Sequence, residues 1–169
     1  TLADEQRPVV IAREGLKALL QLYGDESVLD EAEKVLPPLP GVHEATALAG
    51  EPPPFLEVAW DAIGGRFAIN GGGLDALPGE VCYWGPDTLD WTPIGGGHSA
   101  FVTWSLSPAL ADFYDSLRWP GWEREIEALA PNLGLSLVPP PFTVEGRDPA
   151  HVSRSAVPMT ELHGVYADL

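Results

Sequence analysis

The residues best suited to chemistry are two glycine runs. The first lies in FAINGGGL, residues 67–74, and the second lies in GGGHSA, residues 95–100. Glycine-rich loops bind phosphate when a Lys and a hydroxyl residue follow the last glycine. No Lys follows the first run, and Asp75 and Glu80 behind it would repel a phosphate. We therefore interpret the first run as a structural turn between two strands, made by Asn70, Gly71, Gly72 and Gly73.

The second glycine run formally fits a dinucleotide-binding fingerprint, because it follows the strand-like segment WTPI. Pro108 comes too soon for a full crossover helix, and no alternation of strands and helices surrounds the run. Two interpretations remain open. The run presents backbone N–H groups to an anion beside His98 and Ser99, or it is a turn that caps a helix at Ser99.

No catalytic or metal-binding pattern emerges from the remaining polar residues. The four His residues lack metal-ligand spacing, and no nucleophile elbow is present. Cys82 is the single Cys, lies in the strand-like EVCYW and is expected to be a small buried hydrophobe in a reducing compartment. Asp87 and Asp90 flank a turn, where Asp usually bonds its own backbone. We predict no enzyme activity, no metal and no cofactor.

The predicted secondary structure divides the chain into three stretches. Apolar residues at helical spacing in 7–24 and 25–36 predict a helical hairpin over residues 1–36. Prolines then predict a long surface loop over 37–54. Residues 55–169 are expected to contain a sheet and the C-terminal helices.

Short extended segments dominate the middle of the chain. FLEVA, RFAIN, EVCYW and WTPI are rich in aromatic and β-branched residues, and glycines and prolines bound them. Helices are predicted in SPALADFYDSLRW and PGWEREIEALAP, extended pieces in LSLVPPPFTV and SRSAVP, and a closing helical turn capped by Thr160. The sequence therefore predicts a single α+β domain, with a central antiparallel sheet flanked by N-terminal and C-terminal helices.

The net charge of the chain limits the kinds of molecule that it can bind. The chain of 169 residues carries a net charge of −16. That field disfavours direct binding to nucleic acid and to anionic membranes. It favours solubility or an acidic surface that meets a basic protein. We expect a cytoplasmic protein, because no segment is long and apolar enough to span a membrane and no signal peptide heads the sequence.

Aromatic side chains beside charged ones are typical of protein contacts. Most of the aromatics are expected to form core, but LRWPGWERE combines both kinds of residue. We predict a protein-binding surface formed by Asp87, Asp90, Trp91, Arg118, Trp119 and Trp122. One alternative is an enzyme or small-ligand binder whose pocket is lined by Asn70, His98, Arg118 and Arg154. Another is a homodimer formed through the aromatic patch around Trp119 and Trp122.

Four blocks of the sequence resemble the bacterial family of unknown function DUF2625. They are AIGGRFAINGGGL, GEVCYWGPDTLDW, SLRWPGWEREIEAL and SRSAVPMTELHGVY, in that order. The resemblance extends from about Phe55 to the C-terminus. The N-terminal third departs from the family pattern, since VHEATALAGEPPP stands where family members carry a further glycine-rich strand segment. The family name implies no activity.

A more distant resemblance concerns the NGG turn alone. An apolar run that ends in NGG, followed by strands with acidic and aromatic residues, is similar to the SUKH superfamily. That resemblance implies an α+β fold and a role like that of immunity proteins, which neutralise secreted toxins. The partner would then be a basic toxin such as a nuclease.

Overall fold

An antiparallel sheet of five strands forms the centre of the structure, a computed structural model that describes residues 9–11 and 53–167. The strands lie in sequence order, each paired with the next. Their bounds are β1 (Val9–Ile11), β2 (Phe55–Asp61), β3 (Arg66–Asn70), β4 (Val81–Trp84) and β5 (Trp91–Pro93). Short connections between β2 and β5 leave antiparallel neighbours as the natural pairing.

Within residues 53–167, four short helices follow or flank this sheet. They are α1 (His98–Ser105), α2 (Ala109–Phe113), α3 (Trp122–Glu127) and α4 (Met159–Ala167). A 3₁₀ turn covers Asp115–Leu117, and a second covers Pro149–His151. Gly121, in the left-handed region with φ of 85°, precedes α3 and turns the chain into it.

A second, two-stranded antiparallel sheet consists of β6 (Leu133–Val138) and β7 (Ser153–Pro158). It is joined to the first sheet by a hydrogen bond of 2.6 Å from the Leu135 amide to the Ala62 carbonyl. The two sheets and the helices make this an α+β fold in a single domain, as the sequence predicts.

Three apolar clusters hold these elements together. One lies between the first sheet and the α1–α2 segment around Phe67 and Phe101. A second joins Trp60 and Trp84 to α4. The third packs Trp119 and α3 against the second sheet. Burial of aromatic rings of this size dominates the stability of a small domain.

Several sequence-based boundaries need correction. Residues Val9–Ile11 form a strand paired with β2, so the helix predicted from residue 7 is wrong there. The rest of the hairpin predicted over 1–36, and 37–52 of the proline-rich loop, lie outside the described residues. The two extended pieces predicted near the C-terminus pair with each other in a second sheet. The closing helix starts at Met159, so Thr160 is not its cap.

The helices beyond β5 also differ from the prediction. A helix occupies His98–Ser105, with Gly97 as its N-cap and no side-chain capping bond, so Ser99 lies inside it. The helix predicted in SPALADFYDSLRW is divided into α2 and the 3₁₀ turn Asp115–Leu117. The four strands predicted between Phe55 and Ile94 are confirmed within two residues at each end.

Candidate functional site

A cleft of about 340 Å³ lies where four distant segments of the chain meet. The segments are the β4–β5 turn, the 3₁₀ turn Asp115–Leu117, strand β6 and the loop from residue 139 to 149. We call this the four-segment cleft. Its lining comprises Asp87, Thr88, Ser116, Leu117, Leu137, Pro141, Gly146, Arg147 and Pro149.

The floor of the four-segment cleft is apolar and its rim is polar. Leu137, Pro141 and Pro149 are buried, whereas Asp87 and Arg147 are exposed. An apolar base with a few polar groups at the edge is the usual composition of a small-molecule or side-chain binding site. The chemistry available here is therefore binding through one carboxylate, one guanidinium and hydroxyl groups.

The β4–β5 turn places Asp87 at the rim. The Gly85 carbonyl accepts hydrogen bonds from the amides of Leu89 at 2.8 Å and Thr88 at 3.3 Å. Leu89 has φ of 55°, a left-handed conformation that closes the turn. A Cβ on Gly85 would lie 2.5 Å from Oδ1 of Asp87 and 2.8 Å from Oγ1 of Thr88, so a larger residue there would displace these two side chains.

The loop from residue 139 to 149 places Arg147 at the rim as well. Thr143 donates from its amide (3.0 Å) and its hydroxyl (2.7 Å) to the Pro140 carbonyl. The Gly146 amide donates to Thr143 Oγ1 at 3.0 Å. A Cβ on Gly146 would collide with the backbone of Pro140, so the loop closes tightly just before Arg147.

Asp61 is the most heavily hydrogen-bonded carboxylate of the described residues. Its Oδ1 accepts from the amides of Ile63 (3.0 Å) and Gly65 (2.8 Å), and its Oδ2 from the hydroxyls of Tyr83 (2.8 Å) and Tyr114 (2.9 Å). Burial raises the pKa of Asp61, and these hydrogen bonds counter part of that effect. With four donors in place, the carboxylate ties β2 to β4 and α2. This is a structural role.

Below Asp61 lies a cavity of about 20 Å³, enough for about one water molecule. Arg118, Trp119 and Trp122 line it, and the Arg118 guanidinium lies 4.3 Å from the centre of the Trp122 ring. Trp119 is only 4 % exposed and belongs to the third apolar cluster. Its side chain therefore packs in the core instead of forming part of a contact surface.

The structure places the other predicted contact residues around the β4–β5 turn. Asp87 and Asp90 are exposed, and the Asp90 carboxylate accepts the Trp91 amide at 2.8 Å. Trp91 is half-buried, with its ring 5.3 Å from the ring of Phe55. These three residues are neighbours of the four-segment cleft or part of it, whereas Arg118, Trp119 and Trp122 line the small cavity.

Asn70 organises the glycine turn through four hydrogen bonds. Its Oδ1 accepts the amides of Gly72 (2.8 Å) and Leu74 (3.0 Å), and its Nδ2 donates to the carbonyls of Leu74 (3.2 Å) and Ala76 (2.8 Å). The amide side chain is thus fully occupied inside the loop. Gly72 has φ of 114°, which a residue with a side chain rarely adopts.

The residues of the alternative pocket are engaged at different places. Arg118 lines the cavity below Asp61, whereas Arg154 pairs with Glu125 at 2.9 Å and stacks 4.8 Å from the Trp119 ring centre. His98 begins α1, and burial lowers its pKa. Together with the occupied amide of Asn70, these positions do not form one converging site.

Comparison with known protein families identifies the chain. Residues 19–162 match the model of a family described as "Protein of unknown function DUF2625". The chain belongs to the DUF2625 family. No similarity to the SUKH superfamily is shown. No solved structure matches the chain.

Two curated proteins that are similar to this DUF2625 chain carry the description "uncharacterized". A putative uncharacterized protein, YbfG, of Escherichia coli is 38 % identical over 84 residues, which is 50 % of this chain and 39 % of YbfG. An uncharacterized protein of Haemophilus influenzae is 36 % identical over 84 residues, 50 % of this chain and 37 % of that protein. The matches thus span well under half of either relative.

A shorter similarity concerns a protein with a named role. The ATP phosphoribosyltransferase regulatory subunit of Acidovorax sp. is 68 % identical over 34 residues, which is 20 % of this chain and 9 % of that protein. Because the match covers only 9 % of the regulatory subunit, it does not indicate that this chain shares the role of that subunit.

Sequence reasoning missed both Asp61 and the four-segment cleft of the DUF2625 chain. Asp61 reaches hydroxyls 22 and 53 residues away along the chain, and no local pattern marks such partners. Arg147 likewise lies about 60 residues from Asp87. The one available signal was Gly85, a glycine directly before the Pro-Asp turn.

Two kinds of feature are not found in the part of the chain that the structure describes, a metal site and a membrane-spanning helix. Within residues 53–167 and the strand at 9–11, no group of three or more His, Cys, Asp and Glu side chains is arranged to hold a metal ion. In the same part of the chain, no helix has the length and apolar character needed to cross a membrane.

Proposed function

We propose that this protein is a non-enzymatic binding protein whose acidic surface captures a basic protein. The observation that carries the proposal is the charge exposed by residues 53–167. Only two arginines, Arg124 and Arg147, are exposed there. Ten carboxylates are exposed: Asp75, Asp87, Asp90, Asp112, Asp115, Glu123, Glu127, Glu145, Asp148 and Glu161.

The β4–β5 turn is the best candidate for the centre of this contact. It presents Asp87 and Asp90 within four residues of each other, next to the half-buried ring of Trp91. Asp115 precedes Ser116, which lines the same cleft as Asp87, and so adds a third carboxylate nearby. Acidic side chains beside an aromatic ring suit the lysines and arginines of a basic partner.

The titratable groups with shifted pKa values support binding more than catalysis. Asp61 is saturated by four hydrogen bonds, and burial raises the pKa values of Tyr83 and Tyr114 beside it. Cys82 is 1 % exposed, and burial raises the pKa of its thiol, which disfavours the nucleophilic thiolate. Each of these groups is engaged in packing and is poorly placed to meet a substrate.

Within this binding role, the more specific function that we propose is that of an immunity protein. Its basis is the limited resemblance of the NGG turn to the SUKH superfamily, together with the acidic surface. A secreted nuclease is a natural candidate partner, because nucleases that bind phosphate backbones carry basic surfaces. The homodimer remains the alternative, and the molar mass in solution distinguishes the two.

Affinity capture tests the proposal. The immobilised protein is incubated with lysate of a bacterium that encodes it, washed at low salt and eluted at high salt, which screens exposed charges. We expect a stoichiometric basic protein in the eluate. The variant Asp87→Asn/Asp90→Asn should lose it, and the control Asp75→Asn/Glu127→Gln, with the same change in charge, should retain it.

Two results would overturn the proposal. One is an eluate without a basic protein. The other is equal loss of the partner by both charge variants, which would indicate nonspecific attraction to an acidic chain. A light-scattering mass of twice the monomer, without any partner, would favour the homodimer.

A further inference from the structure

The four-segment cleft holds two opposite charges that do not neutralise each other. Asp87 and Arg147 both line it and both are exposed. Neither forms a hydrogen bond or an ion pair with any described residue. By contrast, Arg66 and Arg154 are paired with Glu57 and Glu125 at 2.9 Å. The cleft therefore keeps one carboxylate and one guanidinium available.

Apolar, buried side chains make up another part of the same lining. Leu137, Pro141 and Pro149 are buried side chains of the lining, and Leu117 is half-buried. The volume of about 340 Å³ is within the roughly 300–1,000 Å³ usual for small-molecule sites. The Ser116 hydroxyl, exposed at the rim, adds a group that can donate or accept a hydrogen bond.

We propose that the four-segment cleft binds a small zwitterion with an apolar side chain, of the free amino acid class. The ammonium group of the ligand pairs with Asp87, and its carboxylate pairs with Arg147. A guanidinium fits a carboxylate with two parallel hydrogen bonds, which orients the ligand. The apolar side chain then lies against Leu137 and the two prolines.

Ligands with a single kind of charge fit this cleft less well. A lone cation would meet Arg147, and a lone anion would meet Asp87, so each gains from one charge and is repelled by the other. A nucleotide would bring several negative charges to one guanidinium and one carboxylate. A zwitterion is the class whose charges both find a partner.

The backbone that carries the two charged residues is ordered by local turns. The Gly85 carbonyl accepts two amides of the turn that contains Asp87, and Arg147 follows Gly146, which is packed against the Pro140 backbone. An ordered backbone at both residues reduces the entropy cost of binding. The inference shares Asp87 with the proposed protein contact but does not rest on the capture of a basic protein, since the ligand and the partner are tested separately.

Isothermal titration with free amino acids tests the inference. The probes are L-leucine, L-methionine and L-phenylalanine, added to the full chain at low ionic strength. Two analogues of leucine serve as matched controls: 4-methylpentanoate, which lacks the amino group, and isoamylamine, which lacks the carboxylate. We expect at least one amino acid to bind, and both single-charge analogues to bind at least about tenfold more weakly than leucine.

Substitutions locate the site. Asp87→Asn and Arg147→Gln should each weaken binding about tenfold or more, whereas Asp75→Asn and Arg124→Gln, exposed residues outside the cleft lining, should leave it unchanged. Circular dichroism confirms that each variant is folded. Absence of heat with all three amino acids would overturn the inference, as would an unchanged affinity in both cleft variants. If no amino acid binds while a basic protein is still captured, only the inference about the cleft is wrong and the proposed function is unaffected.

Discussion

Asp61 shows how one buried side chain organises this domain. It is 1 % exposed and accepts four hydrogen bonds from two turn amides and two phenols. A buried carboxylate is unfavourable unless its oxygens are all satisfied. Asp61 therefore depends on all four donors. Removal of any one of them should lower the free energy of unfolding.

We expect Tyr114→Phe to lower the free energy of unfolding by about 1–2 kcal/mol, because Asp61 loses one donor in a buried place. Tyr166→Phe is the matched control, since the Tyr166 hydroxyl forms no hydrogen bond with a described residue. That control should change stability by less than about 0.5 kcal/mol. Urea unfolding measures both. Equal losses in the two variants would contradict the role given to Asp61.

His163 should make stability depend on pH. Burial, with a contribution from the charge of Arg66, lowers the pKa of His163 from 6.5 to about 4. Between these values the unfolded chain binds a proton that the folded chain does not. The free energy of unfolding should therefore fall by about 3 kcal/mol as the pH drops from 6.5 to about 4.

The comparison of variants isolates this effect from other titrating groups. His163→Phe should remove that part of the slope of unfolding free energy against pH. His151→Gln should leave it, since His151 has a side chain 80 % exposed. Urea titrations at several pH values between 4 and 7 give the slopes. A His163→Phe slope identical to that of the unsubstituted protein would contradict the buried neutral His.

At the scale of elements, the strands were predictable and the long-range sites were not. The segment RFAIN of β3 contains an aromatic and a β-branched residue and is bounded by glycines on both sides, and such a composition marks a strand locally. The helical spacing around Val9 was misleading, because pairing with β2 decides the conformation there. The four-segment cleft could not be predicted, since it depends on how distant segments meet.

The glycine turn gives a prediction about elements. A Cβ on Gly71 would collide with the backbone carbonyl of Pro53, and backbone cannot move aside cheaply. Gly71→Ala should therefore lower the free energy of unfolding by about 2–3 kcal/mol. Gly164 lies within α4, with nothing near its absent Cβ and no left-handed φ. Gly164→Ala should raise stability by about 0.5–1 kcal/mol.

Thermal and urea unfolding of these two variants checks the prediction. The opposite signs make the pair informative, because both variants add the same methyl group. A Gly71→Ala variant as stable as the unsubstituted protein would mean that the turn has room for a side chain. The structural interpretation of the glycine run would then be wrong.

Across the described residues, most of the arginines are engaged with other side chains and most of the carboxylates are exposed. Of five arginines, Arg66 and Arg154 are paired with carboxylates and Arg118 stacks on Trp122. Residues 53–167 contain no Lys. The exposed surface of these residues is therefore strongly acidic, and acidic surfaces in general attract basic proteins by an interaction that weakens with added salt.

The most direct test of the proposed function is the affinity of the captured basic protein for the purified chain, measured by titration calorimetry at two salt concentrations. We expect affinity to fall as salt rises, and Asp87→Asn/Asp90→Asn to weaken it about tenfold or more at low salt. Asp75→Asn/Glu127→Gln should stay within about twofold of the unsubstituted protein. Affinity that is independent of salt, or equal in the two charge variants, would contradict capture of a basic partner at the β4–β5 turn.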